Sequence, residues 1–152
     1  MKDLAKTILG PELEDLKRRI IENHISAKQM ASGKTRASFT VTLGDNEGRL
    51  EARKAIAVLE TGRKPGRVPR GFYYIILKWV ADKGLRVDNP RTFAYFVSRK
   101  IAAEGTRLYR DGGRQDIFSN EIPRTIERIR VAIGNWAITE LNTILDQIKQ
   151  TA

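Results

Sequence analysis

The chain of 152 residues contains no cysteine and a single histidine, His24. The first absence excludes disulfide bonds and thiolate metal ligands, and one imidazole on its own argues against a histidine-based metal or catalytic site. No apolar run approaches the roughly 20 residues that span a bilayer. The opening segment, MKDLAKTILGPELEDL, carries acidic residues early, so we do not expect it to be a signal peptide.

Positive charge is what the chain has in excess. Its 28 Lys and Arg residues outnumber 18 Asp and Glu residues, which gives a formal net charge of +10. Such an excess indicates an anionic partner, which could be nucleic acid, a membrane surface or an acidic protein. Hydrophobic residues make up 41% of the chain, a share that is ordinary for a globular protein. We therefore expect one domain over residues 1–152 with a substantial core.

Helical spacing marks the first element. Apolar residues from Leu13 to Ile21 recur every three or four positions, and Pro11 suits the first position of a helix. A helix is therefore predicted over residues 11–31. His24 lies on or beside the apolar face of this helix, and we expect it to pack at the edge of the core rather than to bind a ligand.

Alternation of apolar and polar residues then replaces the helical period. The segment RASFTVTL, residues 36–43, predicts a strand with one apolar and one hydroxyl-bearing face. A turn leads to a second predicted strand, residues 49–60, whose apolar end AIAVL is expected to be more deeply buried than its start. A helix is the alternative for 49–60, since Ala, Glu, Leu and Arg favour helices. Two strands alone are marginal, so a third partner is expected, which another subunit can supply.

The sequence after the basic loop predicts three helices and one further loop. They are residues 72–83, a helix that begins at the Asn89-Pro90 cap and stops at Gly105, and a long helix over about residues 123–150 that extends from the domain. Residues 106–119 are predicted to be a loop. Expected buried positions are Phe72, Ile75, Ile76, Trp79, Val80, Phe93, Phe96, Val97, Ile101 and Trp136. The fold class is α+β, with an N-terminal helix, a small antiparallel sheet with a basic loop, two central helices and a long C-terminal helix.

Two short patterns resemble catalytic motifs but fit them poorly. The GKT of residues 33–35 matches the end of a phosphate-binding loop, yet Lys28 stands where that loop needs glycine, and a helix precedes it instead of a strand. Asp45 and Glu51 faintly suggest a metal-dependent nuclease, but Arg53 occupies the place of the expected lysine. A strand end and a solvated strand of mixed charge are the better interpretations, so no catalytic residue, metal or cofactor is predicted.

The most informative stretch is LETGRKPGRVPRGF, residues 59–72. It begins like the end of a strand and then carries four cations and no acid between residues 61 and 71. Glycines permit unusual backbone angles there, and prolines restrict how far the loop moves, so we expect a shaped protrusion. A second basic group follows later in the chain, and solvated surface charge is the alternative for both. The candidate contacts for an acidic protein or a phosphate are Arg63, Lys64, Arg67, Arg70, Arg107, Arg110 and Arg114.

An ordered set of motifs runs through the same region. A segment of the form (L/I)E.GR.P is followed by I..W...KG(I/L), then by FA..V..KI...GT, and then by a GG turn before an aspartate. This set resembles the small head–tail connector and tail-completion proteins of tailed bacteriophages, in particular those of Bacteroides-like hosts. The resemblance covers roughly residues 30–122, and the long C-terminal helix departs from it. The matching positions are Glu60, Gly62, Arg63, Pro65, Trp79, Gly84, Phe93, Ala94, Lys100, Ile101, Gly105 and Thr106.

The resemblance implies a non-enzymatic virion protein of the neck or tail, present in the host cytoplasm during assembly. Such subunits form rings, typically sixfold or twelvefold, that seal or extend the portal channel and dock the tail. The implied partners are further copies of the chain, the portal or another neck protein, and tail proteins. The packaged DNA is a further candidate contact, and neither a membrane nor a cofactor is implied. A stand-alone basic DNA-binding protein is the alternative function, and a nuclease is the third.

Overall fold

The computed structural model describes residues 4–151. The fold is α+β, with an N-terminal helix, a two-stranded antiparallel sheet, several central helices and a long C-terminal helix. A π-helical turn at Ala5–Leu9 leads into the first element, and 3₁₀ turns lie at Arg36–Ser38 and Lys54–Ala57. The elements are α1 (Gly10–Ser26), β1 (Thr40–Leu43), β2 (Gly48–Glu51), α2 (Val58–Thr61), α3 (Phe72–Asp82), α4 (Pro90–Glu104), α5 (Arg107–Arg110) and α6 (Glu121–Thr151).

The long predicted helices are present, with shifted ends. α1 ends at Ser26 rather than at residue 31, and Lys28 just beyond it adopts a positive φ of 55° that is incompatible with a continuing helix. The predicted cap of α4 is confirmed, because Oδ1 of Asn89 accepts a hydrogen bond from the N–H of Thr92 at 3.0 Å. The predicted loop 106–119 contains one helical turn, α5, which Thr106 caps.

The sheet is shorter than the sequence predicted. β1 and β2 pair antiparallel from Thr40↔Glu51 to Leu43↔Gly48. The strand predicted to begin at residue 36 starts at Thr40, and the residues before it form a 3₁₀ turn. The second strand ends at Glu51, and residues 54–61 are helical, so the strand prediction was wrong there and the helical alternative was right. Helix-favouring Ala, Leu and Glu dominate this segment. Within the apolar end AIAVL, Ile56 and Leu59 are partly buried against the core, whereas Val58 is 45% exposed.

The core forms where α1 meets the hairpin and the segment that leads into α6. Its centre is Leu16, Ile20, Phe39 and Ile117, each less than a tenth exposed. His24 lies one turn further along α1 and is buried, which lowers the pKa of its imidazole because burial disfavours the charged form. Partly buried side chains complete the cluster, among them Ile21, Leu50, Ile56, Leu59 and Phe118.

Ion pairs fix the first half of α6 against α1. The Arg128 guanidinium donates to Glu12 at 2.8 Å and to Asp15 at 3.2 Å. Arg19 pairs with Asp15 at 3.0 Å and with Glu121 at 3.3 Å. Because these pairs are partly shielded from solvent and linked into one network, they define the position of α6 better than isolated surface pairs do.

α3 and α4 form a helical pair with a narrow buried seam. The side chains that are buried there include Ile76, Val80 and Ala94, and the small Ala94 lets the helices approach closely. Trp79 is 37% exposed and Phe96 is 63% exposed, so their predicted burial was wrong. The predicted stripe was wider than the seam, and its outer residues, such as Ile75, face solvent.

Most of the second half of α6 is exposed to solvent. Trp136 is half-buried, and every residue from 141 to 150 is exposed. We call residues 138–150 of α6 the arm. Although α6 is 31 residues long, no helix within residues 4–151 has both the length and the apolar character required to cross a membrane.

Candidate functional site

A buried carboxylate, Glu60, lies at the centre of the candidate site. Its Oε1 accepts hydrogen bonds from the backbone N–H groups of Ile117 at 2.9 Å, Phe118 at 2.7 Å and Ser119 at 3.0 Å. Its Oε2 accepts a hydrogen bond from the Ser119 hydroxyl. The residue is only 3% exposed. Four donors therefore compensate the cost of burying one negative charge.

These hydrogen bonds decide the ionisation of Glu60. Burial alone would raise the pKa of the carboxyl, but the hydrogen bonds from Ser119, Phe118 and Ile117 outweigh burial and hold the pKa below its ordinary value of 4.5. Glu60 is thus ionised at neutral pH and ties the end of α2 to the turn before α6. The pairing of Arg114 N–H with the Glu60 carbonyl at 2.8 Å adds a second tie between the same segments.

Two glycines allow a third segment to join this contact. Gly62 has a φ of 66°, and a Cβ at this position would lie 2.5 Å from the backbone nitrogen of Tyr109. Gly105 has a φ of 80°, and a Cβ there would lie 2.7 Å from the Arg63 carbonyl oxygen. Neither position tolerates a side chain without a backbone shift.

Hydrogen bonds also join the segment after Glu60 to the segment around Gly105. The N–H of Thr106 donates to the Arg63 carbonyl at 2.8 Å, and the N–H of Arg63 donates to the Thr106 hydroxyl at 2.9 Å. Gly66 N–H donates to the Ala102 carbonyl at 2.8 Å. We call the meeting of segments 60–66, 102–109 and 113–119 the loop junction.

The basic loop, residues 63–71, projects from the loop junction. Arg63 is half-buried, with its guanidinium 5.2 Å from the centre of the Phe72 ring and donating to the Arg67 carbonyl at 2.9 Å. It therefore shapes the loop rather than standing free for a partner. Lys64, Arg67 and Arg70 are exposed, and within residues 4–151 none of the three forms an ion pair through its side chain.

The second basic group is arranged differently. Each of the three arginines predicted there forms an ion pair with a nearby acid of the same chain, which offsets part of its charge. They are therefore less available for an outside anion than the cations of the basic loop. The pairs are Arg107–Asp111 at 3.2 Å, Arg110–Glu104 at 2.7 Å and Arg114–Asp116 at 2.5 Å.

An apolar cleft adjoins the loop junction, between α3, α4 and α5. It has a volume of about 640 Å³, and four cations stand at its rim: Arg63, Lys100, Arg107 and Arg110. An apolar floor with a charged rim is typical of a surface that receives an apolar helix or side chain from another molecule. The floor consists mainly of Phe72, Ile76, Trp79, Val97, Ile101 and Leu108.

Glu60 and the cleft were not found as functional features by sequence reasoning. Glu60 was assigned to a strand end, and its partners lie 57 to 59 positions later in the chain. The available signal was an acid that directly follows the apolar run AIAVL, together with glycines at Gly62, Gly105 and Gly113. A charged residue in such a place is either exposed or satisfied by specific donors.

The catalytic-like patterns do not converge on a site. Asp45 lies in the hairpin turn, whereas Glu51 lies at the far end of β2 opposite Thr40. Across residues 4–151, no three or more His, Asp and Glu side chains are grouped so that they could hold a metal ion. Comparison of the chain with protein-family models, with curated proteins and with solved structures found no match in any of the three.

Proposed function

We propose that the chain is a structural virion subunit of a tailed phage, which forms a ring in the neck as a head–tail connector or tail-completion protein. The observation that carries the proposal is the composition of the loop junction. Five of the twelve positions that carry the resemblance come from separate segments and meet there: Glu60, Gly62, Arg63, Gly105 and Thr106. Their meeting supports interpreting the motifs as one structural unit that holds a shaped loop.

Open surfaces of the subunit support assembly into a ring. The sheet contains two strands, so within residues 4–151 neither of its outer edges is paired with a further strand. Unpaired edges are available to a strand or loop of a neighbour. Tyr74 of α3 is 70% exposed and Phe96 of α4 is 63% exposed, and aromatic side chains are enriched at the centres of protein–protein interfaces.

Charge supports a position beside acidic partners. A net charge of +10 on each subunit, repeated around a ring, is self-repelling unless acidic neighbours or DNA offset it. Lys64, Arg67 and Arg70 are the cations of the basic loop that are free to make this contact. Their location on a restrained loop fixes where the contact is made.

Deletion of the gene from the phage or prophage that carries it tests the function. We expect DNA-filled heads without attached tails in electron micrographs, and rescue by the wild-type chain. A variant with Lys64→Glu, Arg67→Glu and Arg70→Glu should fail to rescue. Infectious tailed particles in the absence of the gene would contradict the proposal.

A matched variant controls for the change in charge. Lys34→Glu, Arg36→Glu and Lys54→Glu reverse three cations that are also exposed but lie outside the basic loop. This variant should restore tail attachment. Equal failure of both triple variants would show that total charge, rather than the basic loop, is what assembly requires.

Stand-alone DNA binding is the second candidate, favoured by the same three unpaired cations. A DNA-binding protein would bind short duplexes as a monomer, with an affinity that falls steeply as salt rises, because bound phosphates release counterions. Fluorescence anisotropy across a salt series measures this directly. Tight binding at physiological salt, without ring formation in the presence of a portal protein, would favour DNA binding over the neck function.

A further inference from the structure

The arm presents an apolar row that no described part of the chain covers. Ile138, Leu141, Leu145 and Ile148 follow one another at intervals of three, four and three residues, which places them on one face of α6. Their exposed fractions are 60%, 60%, 52% and 60%. Single exposed apolar residues are common, but a row on one face is typical of a helix that docks into a groove.

The cleft offers a surface that complements this row. Trp79 in its floor is 37% exposed, and Val58 at its edge is 45% exposed. A cleft of about 640 Å³ is large enough to receive several side chains of a helix. Docking of an apolar helix face would remove both sets of exposed apolar residues from water.

Charge favours the same pairing. The arm contains two acids, Glu140 and Asp146, and one base, Lys149, so its net charge is 1 − 2 = −1 in a chain of net charge +10. Lys149 lies 3.7 Å from Asp146, and no ion pair is present at Glu140 within residues 4–151. The four rim cations have acidic neighbours at Glu104 and Asp111 and so keep an excess of positive charge. An arm with a negative balance thus complements a rim with a positive one.

We propose that the arm of one copy occupies the cleft of the next copy. The contact joins two different surfaces, so it is head-to-tail and generates a ring when the rotation between neighbours closes. The inference rests on the proposed neck function and deepens it, because it assigns the interface through which ring subunits bind one another.

Bundling of arms with one another is the main rival for this row. Extended back to Val131, the row spans only about two and a half heptads, and Gly134 occupies one of its positions. Sustained coiled coils need three to four heptads and usually carry paired opposite charges beside the apolar positions. The flanking positions here include uncharged Asn135 and Asn142, so the cleft is the better partner.

Disulfide trapping tests the contact directly because the chain has no cysteine of its own. One preparation carries Leu145→Cys in the arm, a second carries Lys100→Cys at the cleft rim, and the two are mixed under mild oxidation. We expect a cross-linked dimer with one chain of each kind, since a disulfide forms only between closely apposed residues. Thr143→Cys, on the opposite face of α6, is the matched control and should cross-link far less.

Two other results overturn the contact. If Leu145→Cys chains link mainly to one another, the arms bundle and the cleft is not their partner. If the mixture of the two preparations forms no cross-linked dimer at the highest concentration reached, the arm does not bind another copy.

A second variant pair measures the contact without cross-linking. Leu141→Glu with Leu145→Glu should weaken self-association by about tenfold for each leucine, as judged by sedimentation velocity. Thr139→Glu with Thr143→Glu adds the same charge to the opposite face and should leave association unchanged. Equal association of the two double variants would contradict the proposal, and circular dichroism establishes that both remain folded.

Failure of the contact and failure of the neck function give different results. If the chain with Leu141→Glu and Leu145→Glu still supports tail attachment, the arm–cleft contact is wrong and the neck function stands. If the cross-link forms but deletion of the gene leaves tails attached, the neck function is wrong and the contact stands.

Discussion

The loop junction and the arm differ in what holds them in place. The loop junction is fixed within one chain by a buried carboxylate, reciprocal backbone hydrogen bonds and glycines that admit close approach. The arm carries a row of exposed apolar residues, and the hydroxyl of Thr143 within it donates to the Thr139 carbonyl of the same helix at 2.9 Å. One region is therefore held by contacts within the monomer, whereas the other exposes an apolar surface that our proposal assigns to a further chain.

The largest effect is expected when the loop junction loses its carboxylate. Glu60→Ala should destabilise the chain by about 4 kcal/mol, because it leaves several buried N–H donors without an acceptor. Chemical denaturation followed by circular dichroism measures the change. Glu104→Ala removes an exposed carboxylate and should cost less than about 1 kcal/mol. Similar losses for the two variants would mean that Glu60 is not an anchor.

The stability of the chain should be almost as sensitive to a side chain at Gly62, where two backbone segments approach closely. Gly62→Ala should cost about 3 kcal/mol, since a Cβ would meet the Tyr109 nitrogen at 2.5 Å and the backbone has a positive φ. Gly112→Ala is the matched control, because its φ is 88° and nothing lies within 4 Å of a Cβ there. The control should cost about 1 kcal/mol from backbone strain alone. The difference in unfolding free energy isolates the contact at the loop junction.

Sequence alone predicts those parts of the fold and of the candidate site whose causes are local in the chain. α4 was predicted from its own cap, because Asn89 and Thr92 are neighbours in the chain. For residues 54–61 a strand was the first choice and a helix the alternative, because a short apolar run fits a strand or a helix equally well. The role of Glu60 was missed because its donors begin at residue 117, which only the tertiary fold brings close.

The same distinction applies to charge. Sequence reasoning placed seven cations in two groups, but which of them are free depended on side-chain geometry. Arg63 lies over Phe72, and Arg114 pairs with Asp116, so neither projects like Lys64. Packing in three dimensions therefore separates the unpaired, exposed cations of the basic loop from the cations that already contact a ring or an acid of the same chain.

The pH dependence of stability gives a smaller effect that is specific to the loop junction. The pKa of Glu60 is lower in the folded chain than its ordinary value of 4.5, so its stabilising contribution is complete above pH 4.5 and is lost as pH falls through the folded pKa. At neutral pH, Glu60→Gln should be less stable than wild type by about 2 kcal/mol. That difference should shrink steadily below pH 4.5 in denaturation curves. A constant difference across this pH range would show that the negative charge of Glu60 does not contribute to stability.

The smallest effect is expected in the arm. Leu141→Ser with Leu145→Ser should change the unfolding free energy of the dilute monomer by no more than about 0.5 kcal/mol, because both side chains are already exposed. Thermal and chemical unfolding at low concentration measure this. A loss of several kcal/mol would show that the arm packs within its own chain, and would erase the contrast with the loop junction.

Hydrogen–deuterium exchange on the dilute monomer and on the assembled chain tests the central contrast most directly. The amides of residues 117–119 should be protected in both states, because the loop junction is complete within one chain. The amides of the arm and of the α3–α4 cleft should gain protection together on assembly. Exchange of the arm that is unchanged by assembly, while the rest of the chain becomes protected, would contradict the account.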